Sequence, residues 1–272
     1  MEPHKPATVP SARAERWVDV MGILVNPFMF ARPWIFSAAG SHFDGAAALS
    51  RTGIDGVADS AKFTLSAWIN LTGGDGLRQV PFRIEGSGGQ RLTFERTTGN
   101  KYNISARHGT TTVADVTSTA SFVAGSGWKH ILASCDVSGA TGVFQLYIQD
   151  AAAGTSTVSG SQIIDWTSNG LVRLSSATGA SPAFQVQGDM AEFFLDIKNA
   201  LDLTVAANRR KFISASGHPV DLGNQGALPF GTQPAYYFHR DASESPAAFI
   251  NNRGYGGAFA LSGSLSASAT DP

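Results

Sequence analysis

The stretch Trp128-Lys129-His130-Ile131-Leu132-Ala133-Ser134-Cys135-Asp136, then Val137-Ser138-Gly139-Ala140-Thr141-Gly142, then Val143-Phe144-Gln145-Leu146-Tyr147-Ile148-Gln149, decides the fold of this chain. Ile131, Ala133 and Cys135 share one side of the first run, and Phe144, Leu146 and Ile148 share one side of the last. Side chains alternating with a period of two describe a strand with one buried face. The small, turn-forming residues between the two runs suit a short connection, so the pair reads as an antiparallel hairpin.

The same pattern extends in both directions. Phe63, Leu65, Ala67 and Ile69 alternate within Lys62 to Asn70, and Gly73-Gly74-Asp75-Gly76 turns the chain into Val80 to Ile84. Pro81 in that run points to an edge or bulge position, since it cannot donate to a ladder. Leu92 and Phe94, then Tyr102, Ile104 and Ala106, flank Thr98-Gly99-Asn100 as another hairpin. Ile163 to Trp166, Leu171 to Leu174, Phe184 to Leu195 and Ala235 to His239 read as further strands, with a weak one at Ala258 to Leu261. Short strands with turn signals roughly every eight to twelve residues predict an all-β fold, a two-sheet antiparallel jelly-roll sandwich. One helix is predicted over Thr204 to Ser214, with Asp202 or Thr204 as N-cap and Val205, Phe212 and Ile213 on its apolar stripe. Gly217 and Pro219 end it.

Composition narrows the function classes. Charged residues are 15% of 272, below the roughly 25% usual for soluble domains. A net charge of -1 gives no field for nucleic acid or an anionic membrane. The single cysteine, Cys135, excludes an intrachain disulfide framework. Residues 1 to 16 carry prolines and charges where a cleavable signal would carry an apolar core. Residues 17 to 37 are interrupted by Asp19, Asn26, Pro27, Arg32 and Pro33, so no membrane insertion is expected, and the chain reads as soluble.

Trp17, Phe28, Phe30, Trp34 and Phe36 place five aromatics in 20 residues without a clean period. Such a segment either covers its own domain or docks into a neighbouring protein, because an exposed apolar patch of that size is avoided by monomers. These five residues are the candidate assembly interface. The organisation predicted is an N-terminal arm over 1–40, a jelly roll over 41–197, and a C-terminal helix and strand extension over 198–272 packed on the jelly roll.

Catalytic signals are thin. No histidine has a His or Cys neighbour at zinc-ligand spacing. Asp189 and Glu192, three apart in a period-two strand, point to opposite faces and cannot flank one glycosidic bond. Glu192 and Asp196 share a face but stand roughly 13 Å apart. No catalytic residue and no cofactor is assigned; Asp55, Asp59 and Asp75 are the loop carboxylates that would hold calcium if any did. Trp68 and Trp128, which could stack on sugars, sit in strand segments and read as packing residues. His130, opposite Ile131, reads as structural or partly exposed.

Five motifs in order carry a resemblance: Phe43-Asp44-Gly45, Phe63 to Ile69, Trp128 to Asp136, Leu146-Tyr147-Ile148 and Gly188-Asp189-Met190-Ala191-Glu192. Together they resemble the laminin-G-like, concanavalin A-like lectin/glucanase jelly roll over residues 41 to 197. Where that family usually shows Asp-Gly after the Leu-Tyr-Ile strand, this chain has Gln149-Asp150-Ala151. Leu201 to Ile213, Gly217 to Gly223 and Asn251 to Gly254 resemble a variant found among tailed-bacteriophage virion structural proteins. That resemblance implies a tail- or capsid-associated virion protein, made in the host cytoplasm and used for attachment or decoration. Its partners would be other virion proteins, copies of itself and a host surface glycan. The alternatives are a free carbohydrate-binding module and, more remotely, a glucanase-type glycoside hydrolase.

Overall fold

The computed structural model describes residues 36–86, 89–167, 170–176 and 184–272. Trp17, Phe28, Phe30 and Trp34 lie outside the described residues; Phe36 is half-buried. The strands are β1 (Ser41–Asp44), β2 (Ala48–Thr52), β3 (Lys62–Leu71), β4 (Gln79–Gly86), β5 (Gly89–Arg96), β6 (Tyr102–His108), β7 (Thr111–Ser118) and β8 (Lys129–Asp136). They continue with β9 (Val143–Ile148), β10 (Ala151–Ala152), β11 (Gly154–Val158), β12 (Leu171–Leu174), β13 (Gln187–Asp196), β14 (Tyr236–Phe238), β15 (Ala260–Ser262) and β16 (Ser266–Ala267). One sheet runs β10-β9-β8-β3-β13-β1-β16, with β14 also paired to β13. The other runs β11-β7-β6-β5-β4-β12-β2-β15, giving a two-sheet antiparallel sandwich.

The hairpin predicted over residues 128–149 is β8–β9, in the register Ile131↔Ile148, Ala133↔Leu146 and Cys135↔Phe144. These residues face Phe82, Ile84, Leu92, Phe94 and Ile104 of the other sheet in one continuous core. Phe82 and Phe193 join the layers with ring centroids 4.8 Å apart. Each large apolar side chain fully buried there contributes roughly 1.5–3 kcal/mol. Gln149 and Asp150 make a two-residue β9–β10 turn with φ of 50° and 64°. Two successive positive φ values match the twist of a hairpin, which is why Asp-Gly is favoured at such turns. Here Asp150 is held by Arg209 at 2.6 Å and Arg210 at 2.5 Å, which offsets the strain of two non-glycine residues.

The outer faces of the sheets differ. On the first, Leu132, Phe194 and Tyr237 pack under Leu203, Phe212 and Leu222, while Trp68 and Ala191 pack under Ile213. β3 is therefore buried along most of its length, its outward Thr64, Ser66 and Trp68 included. On the second sheet, one row crosses Arg173, Arg83, Thr93, Ser105 and Asp115 in register, polar throughout.

Three expectations fail. The predicted helix shrinks to one turn, α1 (Ala206–Arg209), with extended Val205 at its start and no side-chain cap. Asp202 instead closes its own turn onto Thr204, and Val205 is 46% exposed. Packing overrides propensity here: burying Phe212 and Ile213 against the sheet, and bridging Ile213 to Pro219, stops the helix early. Ile163 to Trp166 forms a single bridge, Ser60↔Ile164, in place of a strand. Phe184 lies before β13, which begins at Gln187. Pro81 falls inside the β4–β5 register shift between Gln79 and Phe82, in an inner strand, so it occupies a bulge. Among the described residues no helix is long and apolar enough to cross a membrane.

Candidate functional site

Two of the β13 carboxylates would be the catalytic pair of a glycosidase. The period-two argument that separated Asp189 from Glu192 is overturned: the β13–β3 ladder shifts between Ala191 and Phe194. A bulge inserts one residue and moves the following side chains by one face. Glu192 is the displaced residue, with φ of 47°, and it joins Tyr237 on the outer face. Sharing a face does not make a cleft, because each acid is buried and satisfied. Asp189 meets His42 at 2.7 Å and Asn70 at 2.9 Å. Glu192 accepts the Tyr237 hydroxyl at 2.8 Å and pairs with His239 Nδ1, whose Nε2 reaches Asp241. Asp196 accepts the backbone N–H groups of Lys198 and Asn199. Burial raises the Glu192 and Asp196 carboxyls above their usual range despite these bonds. Burial also lowers the His239 imidazole, but its bond and charge interaction with Glu192 outweigh that and raise it.

The other sequence candidates are likewise committed. Trp68 is buried and lies 4.9 Å from the His130 ring. His130 is itself buried, held neutral by desolvation that lowers it to about 3, and 2.9 Å from Ser66 Oγ. Trp128 donates its indole N–H to Thr270. Of the calcium candidates, Asp55 pairs with Arg51, Asp59 takes both donors of Thr167, and Asp75 pairs with Arg96 and the Ala124 N–H. Asp55 lines a hollow of about 380 Å³ with Trp166 and Thr167. Among the described residues no three His, Cys, Asp or Glu side chains converge as a metal site. A groove of about 440 Å³ beside β8 and β9 is paired internally: Ser134 Oγ accepts from Leu201 N–H and Gln145 Oε1 from Leu203 N–H.

A third hollow, about 280 Å³, opens at one end of the sandwich. It draws on three loops: Gly45 between β1 and β2, Leu77-Arg78-Gln79 entering β4, and Phe184, Gln185 and Gln187 entering β13. Backbone bonds fix these loops to one another, from Val80 N–H to Phe184 O at 2.7 Å and from Thr72 N–H to Gln187 O at 3.0 Å. Phe184 is 42% exposed with φ of 59°, a conformation that costs a non-glycine residue about 1–2 kcal/mol. Arg78 sits 4.9 Å over its ring and gives Nε and a second N–H to Glu95. Gln79 is 2% exposed and donates Nε2–H to Gly73 O at 3.0 Å, leaving Oε1 buried without a partner. Gly74 must be glycine: its φ is 76°, and a Cβ there would overlap Gln79 Nε2. The Gln187 side chain likewise lies against Gly45 and Gly73. Residue-by-residue reading missed this site because its members come from loops brought together only by the sheet order. The legible signal is the glycine pair Gly73-Gly74, which by sequence alone reads only as a turn.

The family model described as concanavalin A-like lectin/glucanases superfamily matches residues 43–196. No curated protein sequence matches the chain. Among solved structures, a Bacteroides ovatus protein provisionally described as carbohydrate binding is similar with a TM-score of 0.58 and 12% identity, over 87% of this chain and 62% of that one. A Limulus polyphemus SAP-like pentraxin is similar with a TM-score of 0.46 and 10% identity, over 61% of this chain and 79% of that one. Domains LG4-5 of the mouse laminin alpha1 chain give 0.46 and 9%, over 62% and 44%. The chain thus spans less than two thirds of the Bacteroides protein. With more than half of its length matched and the two-sheet jelly roll in place, the chain belongs to the concanavalin A-like lectin/glucanase superfamily.

Proposed function

We propose that this chain is a glycan-recognition jelly roll carried on a tailed-bacteriophage virion. The observation that carries glycan recognition is the end hollow, where an exposed aromatic ring stands beside the side-chain amides of Gln185 and Gln187. A pocket that combines one apolar face with a few fixed polar groups is how small ligands are oriented. Loops at the end of a rigid sandwich are the usual place for such a site. The virion setting rests on the likeness of residues 201–223 and 251–254 to phage structural proteins, with Trp17, Phe28, Phe30, Trp34 and Phe36 as the anchoring segment. No catalytic role is proposed, since each β13 carboxylate is already engaged by its neighbours.

Two measurements test this. On an array of bacterial surface glycans the full chain binds and Phe184→Ala does not, both showing the same thermal unfolding; equal binding by the two overturns the site. In sedimentation the full chain forms an oligomer that is lost when residues 1–40 are removed. Identical monomers would overturn the anchoring role and favour a free carbohydrate-binding module.

A further inference from the structure

We infer that β11 is a pairing edge, taken by β11 of a second copy of this chain in antiparallel register about a twofold axis at Ser156. β11 ends the second sheet and pairs on one side only, with β7. Its ladder fixes which backbone groups are spent. Thr119 N–H donates to Ala153 O at 2.8 Å, and Ser159 N–H donates to Val113 O at 2.8 Å. Hydrogen-bonded positions alternate along an antiparallel pair, so Ala153, Thr155, Thr157 and Ser159 are the ones that bond to β7. The N–H and C=O groups of Gly154, Ser156 and Val158 therefore point away from it. Among the described residues no hydrogen bond outside that ladder reaches them. Gly154 to Thr157 are exposed and Val158 is half-buried, so the open side meets solvent.

An open edge is ordinarily defended by brevity, a charge, a proline or a bulge, because it is a template for another chain. The other sheet ends are short: β10 and β16 have two residues each, and β15 has three. β11 has five, in a register without a shift. From Ala151 to Gln162 the chain carries no proline and no charged residue. The edge is also complementary to itself. With Ser156 opposite Ser156 of the second copy, Gly154 meets Val158, and these are the positions whose backbone groups are free. Thr155 then stands opposite Thr157 in the pairs between, and Thr pairs stabilise antiparallel strands. Like charges set directly opposite are the usual penalty when a strand meets its own copy, and this register has none. The eight-stranded second sheets of the two copies become one continuous sheet. A strand pair this short is marginal by itself, so it forms where copies are concentrated and leaves dilute chains apart.

Cysteine cross-linking of the full chain reads the register directly, since the one native cysteine, Cys135, is buried. Ser156→Cys brings two thiols onto the axis with Cα atoms roughly 5.5 Å apart, inside disulfide range. Thr155→Cys and Thr157→Cys each face their own kind on a diagonal of roughly 7–8 Å, too far to bridge readily. Mixed together, they face one another at roughly 4.5 Å. The chain is held at about 1 mM, where a contact of millimolar Kd is well populated, and oxidised with diamide. Mass spectrometry and non-reducing gels should show disulfide dimers of Ser156→Cys and of the mixed pair. Thr155→Cys or Thr157→Cys alone should give about ten-fold less. Equal cross-linking in every sample is random collision and overturns the pairing. Cross-linking by Thr155→Cys alone without the mixed disulfide means another register and also overturns it. Absence of both expected dimers overturns it as well, and then the edge belongs to a different occupant.

Discussion

Two polar regions lie near β13, and they are built on opposite terms. Along the strand, Asp189, Glu192 and Asp196 are buried with their oxygens engaged by His42, Asn70, Tyr237, His239 and local backbone. Just before the strand, Gln79 Oε1 is buried with no partner and the Gln187 amide faces a hollow. These acids are structural: Asp189 ties β13 to His42 of β1 and Asn70 of β3, Glu192 ties it to Tyr237 of β14 and to His239, and Asp196 closes its own turn. The neutral amides, easily passed over, are where hydrogen-bonding capacity is left for something else. A satisfied network stabilises, and amides that line an open hollow keep donors and acceptors within a ligand's reach.

The sharpest way to break this contrast is to damage the structural side. Phe194→Ala removes a fully buried ring that packs 5.2 Å from Phe212, and should cost about 3–5 kcal/mol in denaturant titration. A loss under 1 kcal/mol would mean that residues 203–222 do not cover the sheet. His239→Ala, which leaves Glu192 buried without its partner, should cost roughly 3 kcal/mol at neutral pH. The pH sign follows from the two shifts. Both groups hold protons more tightly folded than unfolded, so their contribution is complete at low pH and is lost as pH rises through the elevated values. Melting temperature should therefore fall as pH rises above the ordinary carboxylate range and on through the ordinary imidazole range in the wild type, and stay flatter in Glu192→Gln. A wild-type melting temperature that rises over that range would contradict the assignment.

What could be read beforehand follows the same division. The sandwich was legible because β8, β9, β3 and β6 each carry a clean alternation, and their inward faces are the ones predicted. The helix over 204–214 was misread because local propensity says nothing of the pull on Phe212 and Ile213. Glu192 was placed on the wrong face because a bulge resets the period without leaving a mark in composition. The hollow was invisible because Gln79 and Gln187 are far apart in the chain and meet only through loops pinned to each other.

Smaller effects sharpen the ligand side. Gly74→Ala should destabilise by about 1–2 kcal/mol from its positive φ and, by displacing Gln79, weaken sugar binding as well. Phe184→Gly should stabilise slightly, by about 1 kcal/mol at most, since it relieves a left-handed residue while removing the stacking ring. Lys62→Ala breaks a half-exposed pair with Asp136 and should change stability by under about 0.5 kcal/mol, a baseline for the rest.

The most direct measurement is glycan-array binding of wild type, Phe184→Ala and Glu192→Gln side by side. Binding lost in Phe184→Ala and kept in Glu192→Gln is the predicted result. Binding that survives the first substitution and disappears with the second would put recognition at the β13 carboxylates and contradict the account.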